Sequence, residues 1–498
     1  MSKYLLGIDL GSSAVKVSLL DVATGKPAGS ASAPSTDMLI SAPRPGWAEQ
    51  DPQQWWAELV AATTKLREAT GYRPEEIAAV GIAYQMHGLV CLGHDGQVLR
   101  PAILWCDSRA VQTGARASEV IGDAYCQRHL FNSPGNFTAA KLGWVRDNEP
   151  AVFAKVARIL LPGEWLAFRL TGRAVTTASG LSEGVFWDFA ANTPAAPVLD
   201  WLGIDTGCLG EILPTFGHQG AIQREAAEAL GLAEGTPVSY RAGDQPNNAL
   251  SLGALDPGEI AATCGTSGVV YAVGDQPCGD SAGRWNVFAH VSHTVAAPRY
   301  GALLCLNGAG SSLRWLRHQF AAGGTLPEYA AMDAMAAGAV PGGNGLSVFP
   351  FGNGAERMLG NRNPGAAIHG IDFNRHGPGD LVRATLEGIA FALADGLLAM
   401  REAGVPIARI RAGRANVFLS PVFRATLAAV AGVDIALYET DGSIGAARGA
   451  GVGIGVFPSL RQAMAGLDCL GEESPDPALA AMYAGVFATW RARVHADC

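Results

Sequence analysis

Asp9 ends an apolar run and is followed closely by Gly11, Ser12, Ser13 and Lys16. A glycine turn with two hydroxyls presents backbone N–H groups and hydroxyls to phosphate oxygens. Lys16 adds positive charge, and Asp9 is placed to hold Mg²⁺ through water. The Gly-Lys-Ser/Thr ending of a Walker loop is absent, and taken alone the motif reads first as an ordinary β-hairpin. A second copy changes that balance. Residues 4–21 read YLLGIDLGSSAVKVSLLD and residues 258–273 read GEIAATCGTSGVVYAV, so that Gly265, Thr266 and Ser267 answer to Gly11, Ser12 and Ser13. Two such loops can clamp one nucleotide phosphate chain.

Asp244, in Ala242-Gly243-Asp244-Gln245-Pro246, follows an apolar stretch and precedes a helical one. A plain helix N-cap would explain it. An aspartate at the carboxyl end of a strand also sits where α/β folds bind ligands, and phosphoryl transfer to an alcohol needs a carboxylate to accept the hydroxyl proton. Gln85, Met86 and His87, with Trp105, Asp107 and Arg109 in LWCDSR, mix polar groups with apolar walls as a sugar pocket requires. His87 taken singly is more often structural than a ligand. His290 and His293 hint at a metal pair, but no further ligand cluster accompanies them and no site is assigned there.

The elements that position these residues follow from pattern. Asp51 then Pro52 gives an N-cap and first-turn proline for a helix to about Gly71. Residues 78–84 read as a buried strand running into Gln85-Met86-His87-Gly88, and 237–242 as another ending at Gly243-Asp244. Val382, Leu386, Ile389, Leu393, Leu397 and Met400 mark a long buried helix that stops near Gly404. The Ala- and Pro-rich stretch 188–200 reads as a surface excursion, and Glu472 to Pro477 as an acidic loop before a final helix. Alternating strands and helices predict an α/β fold. The hairpin repeat predicts two related lobes, residues 1–243 and 244–498.

At 498 residues the chain exceeds one ordinary core. A net charge of −9 argues against nucleic acid as a partner. No stretch approaches the ~20 apolar residues of a membrane span, and Asp9 interrupts any signal-peptide core. Nine scattered cysteines without a Cys-x-x-Cys pair read as reduced thiols in a cytoplasmic protein.

On these residues the chain resembles the FGGY carbohydrate kinases, and among them the xylulokinases, from Tyr4 to about Gly453. IDLGSSAVK and CGTSG are similar to the family's two phosphate motifs. QMHG at 85–88 and RPAILWCDSR at 100–109 are xylulokinase-like. FTAAKLGWVRDN at 137–148 and GIDFNRHGPGDLVRATLEG at 370–388 resemble family signatures. The resemblance implies two ribonuclease-H-like (actin-like ATPase) lobes with a cleft between them, closing about a hinge. It implies ATP and Mg²⁺ as cofactors, a ketopentose substrate, D-xylulose first, and it allows a homodimer.

Carried over by position, Asp244 matches the catalytic base and Asp9 the magnesium-associated aspartate. Gln85, Met86, His87, Trp105, Asp107, Asp244 and Gln245 fall at the sugar. Gly11, Ser12, Ser13, Lys16, Gly265, Thr266, Ser267, Gly310, Trp315, Gly413 and Asn416 fall at ATP, the last three at adenosine. Two departures stand out. Gln245 replaces the usual Asn, and Ala412-Gly413-Arg414-Ala415-Asn416 replaces a Gly-Gly-Gly run. The rival expectations are a kinase of the same family for ribulose or glycerol, and a non-catalytic actin-like ATPase.

Overall fold

The computed structural model describes residues 3–321 and 324–497, which divide into two compact units. The first comprises the chain up to Leu255, then Phe288–Tyr300 and Thr440–Leu467. Its six-stranded sheet runs in the order Phe216–Ala221, Pro237–Gly243, Ile77–Tyr84, Tyr4–Leu10, Val15–Asp21, Pro27–Ala33. Strands Tyr4–Leu10 and Val15–Asp21 form the antiparallel hairpin, while Tyr4–Leu10, Ile77–Tyr84 and Pro237–Gly243 run parallel. Their carboxyl ends therefore lie along one edge, and those ends carry Asp9, Gln85 and Asp244.

One sheet face is covered by the helix Pro52–Thr70. The Asp51 side chain accepts a bond from the Gln53 N–H at its start, and Gly71 (φ +68°) ends it. Trp55, Leu59, Ala62 and Leu66 point from this helix into the main core. The other face receives the helix Gly442–Gly453, which approaches unusually closely. A methyl group at Gly7 would fall 1.7 Å from the Ser443 carbonyl oxygen, and one at Gly81 2.0 Å from that of Ala446. Glycine is therefore required at both strand positions, and the helix reads as small residues rather than an amphipathic stripe.

The second unit comprises Asp256–Val287, Gly301–Glu439 and the chain from Asp468. Its seven-stranded sheet follows the order Asn286–Ala289, Tyr300–Leu306, Gly268–Gly274, Gly258–Cys264, Ile407–Gly413, Asp434–Tyr438, Cys469–Glu473. Again a central antiparallel hairpin is followed by parallel strands, Gly258–Cys264 beside Ile407–Gly413 beside Asp434–Tyr438. The hairpin repeat in the sequence is thus a repeat of sheet topology. The helix Pro378–Glu402 buries all six residues expected to form its apolar stripe.

Three expectations are corrected. The first unit continues past residue 243 to Leu255 and regains the chain at Thr440. The helix Asp244–Ser251 packs there through Ser251, whose hydroxyl bonds the Asp441 carbonyl at 2.7 Å. The stretch 188–200 is a two-strand hairpin, Trp187–Asp188 with Thr193–Pro194, leading into the helix Ala196–Leu202, which buries Val198, Leu199 and Leu202. Glu472 and Glu473 belong to an edge strand, where Glu472 pairs with Arg409. No described helix is long and apolar enough to cross a membrane.

Candidate active site

In the first hairpin Asp9 and Lys16 face each other across the ladder. The turn is closed by Gly11 N–H on the Ala14 carbonyl (3.0 Å), and Gln50 Nε2 donates to the Ser12 carbonyl (2.7 Å). These bonds fix Ser12 and Ser13 at the strand ends. Lys16 also has a partner within the protein, its Nζ lying 2.7 Å from Asp441 Oδ2. Asp441 caps the helix Gly442–Gly453, accepting from Ile444 N–H and from the Ser443 hydroxyl. Burial raises its carboxyl, but Lys16 and these bonds more than offset that and leave it lowered. Asp9 is pushed up to about 6, first by burial, then by the Asp441 charge.

Asp244 is the first residue of the helix Asp244–Ser251, after Gly243, and is not the cap itself. Its carboxyl is pushed up to about 7, first by burial and next by Asp9. Beneath it lies Glu183, a residue the sequence reading missed. It is fully buried, with its carboxyl raised well above the usual range by burial. Glu183 Oε1 accepts the Tyr84 hydroxyl at 2.5 Å.

The motif expected at the sugar, Gln85-Met86-His87, follows Tyr84. His87 holds a left-handed backbone (φ +61°), strained for a non-glycine residue. Lys141 Nζ donates to the His87 carbonyl at 2.7 Å, and His87 Nδ1 donates to the Glu183 carbonyl at 2.8 Å. Its ring packs edge-on against Phe137. Lys141 is wholly buried, and that burial lowers its ammonium to about 7. Gln85 is buried, and neither polar atom of its side chain has a protein partner. Such an unpaired amide costs roughly 1–3 kcal/mol, which fits a group kept for a ligand.

Trp105 is half exposed, whereas Asp107 is fully buried. Asp107 accepts from the Ala48 N–H (2.6 Å) and pairs with Arg109 (2.7 Å), whose guanidinium stacks on Trp47. The carboxylate expected at the sugar is therefore engaged inside the protein, where it holds the Trp105–Arg109 turn. His290 is buried and lowered to about 3 by desolvation, and no group of three metal-binding side chains occurs among the described residues.

In the second unit a cavity of about 350 Å³ is lined by Gly265, Thr266, Gly310, Ser311 and Asn416, among others. A methyl at Gly310 would sit 2.0 Å from the Gly265 carbonyl oxygen, so the helix Ala309–Gln319 starts directly against the Gly265 turn. Trp315 does not line this cavity. It lies on another of about 500 Å³ with Phe349, Pro350 and Ile368, because Arg314 and Trp315 leave the helix on different sides. Gly413 and Ser267 are also outside the first cavity's lining.

Residues 4–251 match the FGGY family of carbohydrate kinases, N-terminal domain, and residues 260–454 its C-terminal domain. The chain belongs to the FGGY family of carbohydrate kinases. It is 32% identical over 450 residues to the xylulose kinase of Escherichia coli (strain K12), covering 89% of this chain and 88% of that one. The xylulose kinase of Bacillus subtilis (strain 168) is 30% identical over 414 residues, 81% of this chain and 78% of the relative. The crystal structure of xylulose kinase from Rhodospirillum rubrum superposes with a TM-score of 0.86 at 27% identity, over 99% and 98% of the two chains.

Membership of the FGGY kinases brings Mg²⁺ into question, and the residues present suit it. Asp9 and Asp244 are two acids that enclosure and like charge hold near neutrality. A divalent cation would let both ionise. Mg²⁺ is commonly held by one or two carboxylates with substrate phosphates and water, so no protein-only cage is needed.

Proposed function

We propose that this FGGY kinase phosphorylates D-xylulose with ATP, giving ADP and D-xylulose 5-phosphate. The observation that carries the reading is Asp244, a carboxylate at the end of a parallel strand with its pKa raised to about 7. A general base works best when poised near the operating pH. D-xylulose is taken from the name of the relatives above.

The sugar is held by Gln85, Met86, His87, Trp105 and Gln245 in the first unit, and the nucleotide by Gly265, Thr266, Gly310 and Asn416 in the second. Asp244 takes the proton of the primary hydroxyl. That oxygen forms a bond to the γ-phosphorus while the bond from phosphorus to the bridging oxygen of ADP breaks. In each unit the N–H groups of a glycine turn are suited to phosphate oxygens, with Lys16 adding positive charge in the first, since positioning and charge neutralisation dominate this chemistry. Asp9 and Asp244 would hold Mg²⁺, which neutralises phosphate charge. The activity belongs in the cytoplasm, in keeping with eight free thiols among the described cysteines.

Gln245 favours a second reading, a kinase of the same family for another ketose or a polyol. The test is kcat/KM with D-xylulose, D-ribulose, L-ribulose and glycerol. The highest value is expected for D-xylulose. A higher one for a competitor would replace the substrate and keep the kinase.

A further inference from the structure

Tyr84 and Gly243 are register partners at the carboxyl ends of adjacent parallel strands. The next residues are the sugar motif Gln85-Met86-His87 on one strand and the base Asp244 on the other. Glu183, at the end of the helix Ala178–Glu183, touches both corners. Its Oε1 accepts the Tyr84 hydroxyl at 2.5 Å. Its Oε2 lies under Gly243, where a methyl on that glycine would meet it at 2.4 Å and Met86 Cγ at 2.5 Å. Its carbonyl accepts from His87 Nδ1 at 2.8 Å, and since a carbonyl cannot donate, Nδ1 must carry the proton.

A single buried side chain with its own backbone therefore sets the spacing between the sugar motif and the base. Oε2 is buried without a protein partner, so keeping this carboxyl here carries a desolvation cost that packing alone does not repay.

We propose that Glu183 is a positioning residue for sugar phosphorylation, fixing the Gln85–His87 turn against the Gly243–Asp244 corner. This rests on the kinase reading above. Misplacement near 1 Å can cost about a hundredfold in rate.

The test compares Glu183→Met, Glu183→Gln and Tyr84→Phe by steady-state kinetics, direct titration with D-xylulose, and titration with ADP. Glu183→Met should lower kcat/KM for the sugar at least about tenfold and weaken sugar binding, with ADP affinity within about twofold. Glu183→Gln keeps an acceptor for Tyr84 and should restore most of the loss. Tyr84→Phe should weaken sugar binding in the same direction, and it decides the matter if Glu183→Met does not fold. Unchanged sugar parameters in a folded variant, a parallel fall in ADP affinity, or a Gln variant as impaired as the Met variant would each overturn the proposal. Sugar titration needs no turnover, so it judges Glu183 even if Asp244→Asn proves fully active and the base assignment falls.

Discussion

To act as the proposed base, Asp244 has to be ionised, yet enclosure and the Asp9 charge hold its pKa up at about 7. An unfolded aspartate titrates near 3.8. The stability this group contributes is therefore complete below about pH 4 and is lost as pH rises through about 7. Asp244→Asn removes that loss. In chelator, its Tm should match the native protein near pH 4.5 and exceed it at pH 8, and added Mg²⁺ should raise the native Tm at pH 8 more than the variant's. Thermal melts at both pH values check this, and a lower Tm for the variant at pH 8 would contradict it. The same variant should lose at least ~10²-fold in kcat, with sugar binding kept within about tenfold. Asp9 and Asp244 were visible as candidates because each closes an apolar run. Asp441 and Glu183 were not, since the partners that define them, Lys16 and Tyr84, lie 425 and 99 residues away. Asp107 misled because LWCDSR does not reveal that Arg109, two residues on, turns back to pair with it.

At the scale of elements, the helix Gly442–Gly453 lies backbone to backbone on the strands beneath it. Gly81→Ala places a methyl 2.0 Å from a backbone oxygen, with Ala450 3.2 Å away, so the helix itself must move. Overpacking of this kind costs typically 1–3 kcal/mol. The variant should melt several degrees lower and lose activity. An unchanged Tm would mean that the helix can lift without penalty. The helix Pro52–Thr70 was readable from its aspartate cap, proline and closing glycine. Gly442–Gly453 was not, because SIGAARGAGVG carries no apolar stripe, and its small residues make sense only beside Gly7 and Gly81. Trp315 shows the limit of reading by position: one helix borders two cavities, and its neighbour Arg314 lines the one shared with Gly265 and Thr266.

Across the whole molecule the repeated hairpin in the sequence became two sheets of matching topology, each with its glycine turn at the end of the central pair. The domain division was less legible, because it depends on contacts made by a distant segment rather than on composition near residue 243. If sugar and nucleotide sites are divided as proposed, hydrogen exchange should separate them. ADP alone should protect the backbone around 264–268 and 309–316, and D-xylulose alone that around 84–88 and 243–246. Protection by D-xylulose confined to the second unit would reverse the division of labour.

The return of the chain at Thr440–Leu467 has a bearing on how the protein is made. A nascent chain leaving the ribosome carries residues 1–255 long before the segment that covers Gly7 and Gly81. At about 5–20 residues per second, the apolar face around Leu5, Ala79 and Ala83 waits tens of seconds for Ile444, Ala447 and Ala450. The first unit is begun first and completed only after most of the second has been synthesised. During that interval the apolar face stays uncovered, and a message truncated before codon 440 should yield protein that aggregates.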